Sequence, residues 1–237
     1  MSSTESSVTE AVVSRRSVRA FSNRSVERTV VEELLQLAAN APSNGNTQPW
    51  RVHVVTGEAK ENLSKAIFEK AASSPSGAAP DIEIYPKDLG EPWRSRRYAC
   101  GELMYETLGI ERENKVGRMQ QAAKNLSFFG APIGIIVTLD RSLAELQFLD
   151  CGIFMQTFML LAQERGLATC PQAAWSMWAG VIRRQLGLSD QEMVLAGIAL
   201  GYPDTAQVAS NIPMPRISLD EFATFHDAQV ENKSDDI

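Results

Sequence analysis

Three arginines fall within five residues in RRSVRAF (15–21), where Arg15, Arg16 and Arg19 surround Ser17. Guanidinium forks bind phosphate oxygens bidentately and a hydroxyl adds a donor, so the run suits a phosphate, with a solvated basic turn as the plainer alternative. One helix later, PSNGNTQPW (42–50) sets Ser43, Asn44, Asn46 and Gln48 between Pro42 and Pro49. Side-chain amides donate and accept, which matches the alternating carbonyl and N–H groups of a planar heterocycle, although the same residues make ordinary turns. CPQAAW (170–175) presents Pro171, Gln172 and the small Ala173 after an apolar run, so that backbone N–H groups can approach a flat ring. Arg216 ends NIPMPR as a lone cation in a Pro-rich coil.

Other chemistries lack their residues. His53 lies in a strand pattern and His226 in a weakly patterned tail, and neither Ser17 nor Ser43 sits in a G-x-S-x-G context. Cys100, Cys151 and Cys170 show no metal-ligand spacing and no evident base, so reduced structural thiols are expected and no metal site. No G-x-G-x-x-G follows a strand, and no P-loop is present. A net charge of −6 disfavours nucleic acid and anionic membrane surfaces as partners. The start MSSTESSVTE is polar and acidic, unlike a signal peptide, and CGIFMQTFMLLA (151–162) is too short for the roughly 20 residues a bilayer needs, so a cytoplasmic protein is expected.

These residues must be positioned by elements that the periodicity predicts. Helices are expected over 8–14, from a Thr29/Glu32 capping box through Val31, Leu34, Leu35 and Ala38 to about Asn40, over 58–72, over 142–165 and over 176–187. Strands are expected over 50–56, with Trp50, Val52 and Val54 on one face, and over 131–140, 166–172 and 193–203. Residues 73–80 read as a loop, 81–130 as a lid or excursion, and 204–237 as a C-terminal extension with one short helix and a charged end. Strands separated by long helices predict an α+β fold, a sheet covered on both faces by helices, in a single domain over 1–237.

The order RRSVR, APSNGNTQPW, GLATCPQ, GIALGYPD and then PR resembles the FMN-dependent nitroreductase family over nearly the whole chain. The resemblance implies an α/β/α sandwich with a mostly antiparallel sheet, an intertwined homodimer, and FMN at the subunit interface. On it, Arg15, Arg16, Ser17, Arg19 and Arg216 match phosphate and flavin-edge positions, and Pro42, Ser43, Asn44, Asn46 and Gln48 match a loop from the partner subunit. Pro171, Gln172, Ala173 and Gly201 match segments over the ring and near the phosphate; Ala173 and Ala174 replace the family's common Glu-Gly or Gly-Gly pair. The implied reaction is hydride transfer from NADPH or NADH and then to a nitroaromatic, or in side reactions a quinone, with the flavin rather than a side chain carrying the chemistry. Trp93, Tyr98, Tyr105, Phe128 and Phe129 of the excursion are candidates to flank the substrate. A reductive dehalogenase using Glu102, Tyr105 and Lys115, or a non-catalytic flavin-binding protein, are the alternatives on the same scaffold.

Overall fold

The computed structural model describes residues 7–226; the first six residues and the charged end predicted beyond 226 lie outside the described residues. In chain order the elements are α1 (Val8–Ser14), α2 (Arg28–Ala38), β1 (Arg51–Thr56), α3 (Gly57–Ser73), α4 (Trp93–Thr107), α5 (Lys115–Ala123), β2 (Ile133–Asp140), α6 (Leu146–Glu164), β3 (Ala168–Gln172), α7 (Ala179–Leu186) and β4 (Glu192–Gly201). The strands form one antiparallel sheet in the order β1-β2-β4-β3. The sequence IGIIVTLD of β2 is buried at every position but Asp140, because helices cover both faces of this central strand.

On one face Ile133, Ile135, Val137, Ile198 and Leu200 pack against Val31 and Leu34 of α2 and Phe154 and Phe158 of α6. On the other, Val55, Ile136, Val194 and Ala199 meet Leu63 and Ile67 of α3 and Val181 and Ile182 of α7. Two glycines let this second face hold large rings. A Cβ on Gly134 would lie 2.4 Å from Phe128, and one on Gly197 would lie 2.3 Å from Trp175. The two rings stack with centroids 4.0 Å apart on that glycine floor.

Phe128 and Phe129 are therefore core residues, 0% and 6% exposed, and not the substrate-flanking aromatics expected of them. Their backbone turns inward through consecutive positive φ angles of 52° and 54°. The Thr29/Glu32 capping box is also not formed. The helix starts at Arg28, and Glu32 is drawn away by the Arg28 guanidinium at 2.7 Å, while the capping box that does form joins Ser7 and Glu10 before α1. Val54 does not share the burial of Trp50, since β1 is an edge strand that the chain's own helices cover only in part; it is 41% exposed. No helix among the described residues is long and apolar enough to cross a membrane.

The excursion leaves the core at a buried carboxylate. Asp81 accepts the Val194 N–H at 2.8 Å and the Arg183 guanidinium at 2.6 Å through one oxygen, and Arg141 through the other. Burial alone raises its pKa, but the Val194 N–H and the two guanidinium groups outweigh it and hold the carboxyl below its ordinary value. The stability it contributes is thus complete above about pH 4, the unfolded value, and is lost as pH falls through the lower folded value. Asp81→Ala should lower the unfolding free energy at neutral pH by about 3 kcal/mol in urea titrations. The same variant should show a shallower loss of stability in acid; an unchanged acid limb would show that Asp81 is not among the groups that set it.

Candidate functional site

Residues 15–21 are laid along the outer edge of β3. Ser17 bridges Thr169 in parallel, the Val18 N–H donates to the Thr169 carbonyl at 3.0 Å, and the Arg19 N–H donates to the Ala209 carbonyl at 3.0 Å. The Ser210 hydroxyl donates to the Ala20 carbonyl, which pins the chain after β4 to the same segment. Backbone pairing thereby assembles RRSVR, the end of β3 and the stretch leading to Arg216.

The result is a cluster of cations that lack counter-ions. Arg15 is half-buried, and its Nη1 is buried without a hydrogen-bond partner. Its pKa is lowered first by burial and then by Arg216 and Arg16, with Cys170 opposing weakly. Arg19 donates to the Ser17 carbonyl, and Arg216 to the carbonyls of Met214 and Pro215. Among the described residues, no carboxylate lies within ion-pair distance of Arg15, Arg16, Arg19 or Arg216. An orphaned guanidinium nitrogen with three more arginines in the same cradle fits a phosphate group.

Pro171 and Ala173 are exposed at the end of β3, while Gln172 between them turns inward. The Gln172 Nε2 donates to the Asn125 carbonyl at 2.8 Å, and its Oε1 is buried with no donor. Ala173 opens a 3-10 helix, Ala173–Trp178. At Gly201, which ends β4, a Cβ would meet Pro132 at 2.6 Å and Phe21 at 3.2 Å, so the packing there excludes a side chain. Cys170 beneath the arginines is no nucleophile: burial pushes its thiol up to about 11 although Arg19 and Arg15 pull it down.

The amide loop lies elsewhere in the chain. Pro42, Asn44, Asn46 and Gln48 are exposed and Ser43 half-exposed, with positive φ at Gly45, Asn46 and Gln48. The Ser43 hydroxyl accepts the Gln48 N–H at 3.0 Å, and the Asp150 carboxylate on α6 accepts the Asn44 N–H at 3.1 Å. Gln163, thirteen residues further along α6, donates to the Ser14 hydroxyl at the end of α1. The loop and the arginine segment are thus tied to points about 20 Å apart along one helix, and they flank opposite edges of the sheet. One chain does not bring them together.

Asp150 and Asn125 escaped sequence reasoning. An acid inside the most apolar helix was the available signal for Asp150; Asn125 carried none. In the excursion, Trp93 and Tyr98 are 61% and 53% exposed, and no residue of α4 is buried. Tyr105 lies under the Arg118 guanidinium at 4.3 Å, and Arg118 grips Glu102 at 2.5 and 3.0 Å, a hydrogen bond that lowers the Glu102 pKa. Glu102 is therefore engaged, and Glu102, Tyr105 and Lys115 do not form a free zwitterion clamp. His53 is structural, bonded to Glu192 at 2.8 Å across the sheet.

An antiparallel sheet sandwiched by helices, with a cluster of arginines along one edge and the exposed Pro171 and Ala173 beside it, defines an α+β protein with an edge suited to a phosphate. Residues 12–202 match the model of the Nitroreductase family, and the chain belongs to that family. It is 40% identical to the 4-nitrobenzoate reductase of Pseudomonas putida, over 90% of this chain and 93% of that one. It is 37% identical to the chloronitrobenzene nitroreductase of Comamonas testosteroni, over 92% and 96%. In structure it is similar to the FMN and NADPH-dependent nitroreductase NfnB of Sphigopyxis sp. strain HMH, with TM-score 0.92 and 39% identity over 94% of this chain and 100% of that one.

Burial raises both Cys151 and Cys170 to about 11, whereas Cys100 is exposed. Iodoacetamide at pH 8 should accordingly alkylate Cys100 alone in the native protein, and all three thiols only in denaturant. Peptide mapping that finds Cys170 modified under native conditions would contradict this burial.

Proposed function

We propose that the chain is an FMN-dependent NAD(P)H oxidoreductase that reduces nitroaromatic compounds to the hydroxylamine or amine. The observation that carries this reading is the buried, unpartnered Nη1 of Arg15 within the Arg15, Arg16, Arg19 and Arg216 cluster, on a chain whose relatives carry nitroreductase names. FMN, when bound, supplies a ring that accepts and returns a hydride, which the side chains here cannot do. Arg15, Arg19, Arg216 and Ser17 offset and hydrogen-bond its phosphate. Gln172 offers a buried acceptor for a ring N–H, and Pro171 and Ala173 form a flat, small-residue surface beside it. Donor and acceptor then use one pocket in turn.

The site is completed in a homodimer. The amides of 43–48 reach a flavin only from a second copy, given their separation from the arginines. An apolar stripe supports the pairing: Leu146, Leu149 and Ile153 of α6 are 60%, 64% and 42% exposed, and Val8, Val12 and Val13 of α1 are exposed nearby. We read residues 81–130 as the lid of a single domain over 1–237, with Trp93 and Tyr98 free to meet a planar acceptor, and the protein as cytoplasmic. Glu102 being held by Arg118 disfavours the dehalogenase alternative.

The test is the visible spectrum of the protein with FMN, before and after anaerobic NADPH and then nitrobenzoate. Bleaching followed by recovery is expected; bound flavin that never bleaches would favour a ligand-holding protein, and no bound flavin would remove the reading. Arg19→Ala and Arg216→Ala should each weaken FMN affinity by about tenfold or more, measured by flavin fluorescence, with the helical circular dichroism unchanged.

A further inference from the structure

Asp150 is 5% exposed, although its neighbours Leu146, Leu149 and Ile153 on the same face of α6 are open to solvent. A carboxylate loses its hydration on burial and needs a donor or a cation in return. Among the described residues no cation lies within ion-pair distance of Asp150. Its side chain makes one hydrogen bond there, Oδ1 accepting the Asn44 N–H at 3.1 Å, and Oδ2 is buried without a partner. This acid is therefore tied to the amide loop and not to an ion pair.

The loop is gripped by α6 at both ends. Asp150 holds Asn44 at its start, and Trp50, which follows the loop, stacks on Phe154 with ring centroids 4.9 Å apart and 16° between the planes. Positions 150 and 154 are about one helical turn apart, roughly 6 Å along the axis, so the chain from Asn44 to Trp50 is closed between two neighbouring points of one rigid element. Between these points φ is 57° at Gly45, 55° at Asn46 and 46° at Gln48. A side chain such as that of Gln48 disfavours this left-handed region, which persists only where the surroundings over-determine it. Ser43 adds to them from within, its hydroxyl accepting the Gln48 N–H and its carbonyl the Asn46 N–H at 2.9 Å.

The two anchors differ in kind. The Trp50 stack is apolar packing against the core on that face of the sheet, and it fixes where the chain enters β1. The Asp150 hydrogen bond is directional and charge-assisted, and it fixes where the loop begins. With that bond removed the stack and the sheet remain, while the Asn44 end is released and the orientation of the exposed Asn44, Asn46 and Gln48 is no longer set.

We propose that Asp150 is a positioning residue for the cofactor: by accepting the Asn44 N–H it presets the loop 43–48, whose amides meet the FMN held by a second copy of the chain. This inference rests on the oxidoreductase reading and on the homodimer proposed with it. Asp150 acts through the backbone of Asn44 and touches no ligand itself. A preset loop has less freedom to lose on binding, so the loss of its anchor weakens FMN affinity while the fold survives. An amide oxygen at position 150 can accept the same N–H, so the role requires the acceptor and not the charge.

The experiment joins FMN titration, read by quenching of flavin fluorescence, with amide hydrogen exchange of the flavin-free protein. In the unsubstituted chain the Asn44 amide should exchange at least about tenfold more slowly than in the unfolded chain, and Asp150→Ala should abolish that protection. The same variant should raise the Kd for FMN at least about tenfold, whereas Asp150→Asn should stay within about threefold of the unsubstituted protein. Should the alanine variant not fold, Asp150→Ser, polar but one bond shorter, takes its place. Phe158→Leu, a destabilising change in the core face of α6, should lower the urea midpoint and leave the Kd within about threefold. An Asn44 amide without protection, an unchanged Kd in Asp150→Ala, an asparagine variant as weak as the alanine one, or an equal loss in Phe158→Leu overturns the positioning role alone. An unsubstituted protein that binds no FMN overturns the oxidoreductase reading, and the positioning role falls with it.

Discussion

A guanidinium nitrogen buried without an acceptor is the constraint around which the site is arranged. Removing an arginine from water costs several kcal/mol unless an anion compensates, and Arg15 has further guanidinium groups, not carboxylates, for neighbours. The fold holds it there by means that do not depend on the arginine side chains. Backbone hydrogen bonds from Val18 to Thr169 and from Arg19 to Ala209 clamp the segment along β3, so the charges stay together before any ligand arrives. A segment clamped in advance by strand pairing would lose little entropy on binding an anion.

The same strand organises the turn that follows it. Gln172 ends β3 and reaches Asn125, which couples the sheet edge to the last turn of the excursion. Just beyond, Trp175 lies on Gly197 and stacks with Phe128, which lies on Gly134. Any larger residue at either glycine would lift a ring off the sheet and move the turn that begins at Ala173. At the other end of the excursion, Asp81 ties the chain to Val194 of β4 and to two arginines. The excursion is therefore held firmly at both ends, while α4 between them has no buried residue of its own.

The amide loop obeys a different logic. Asp150 and Ser43 hold it in a conformation with three positive φ angles that leaves Asn44, Asn46 and Gln48 exposed, the Gln48 amide donating to the Asn46 carbonyl within the loop. Its distance from the arginines follows from the sheet order, which sets the loop beside β1 and the arginine segment beside β3.

The sequence by itself determined the layered α+β plan, because a central strand as apolar as IGIIVTLD and amphipathic helices such as α2 can be satisfied only by burial on both faces of a sheet. It also determined the polar and cationic site segments, since Arg, Ser, Asn and Gln at those spacings declare their chemistry locally. What it did not determine is which segments meet. Phe128 and Phe129 read as free aromatics until Gly134 and the turn of the chain placed the first on the sheet, and the packing of Pro132 and Phe21 against Gly201 carried no signal in the sequence. Asp150 and Asn125 gained their roles from partners 106 and 47 residues away. Local periodicity reports the surroundings of a residue along its own element; contacts between distant elements are set by packing, and only the tertiary structure decides them.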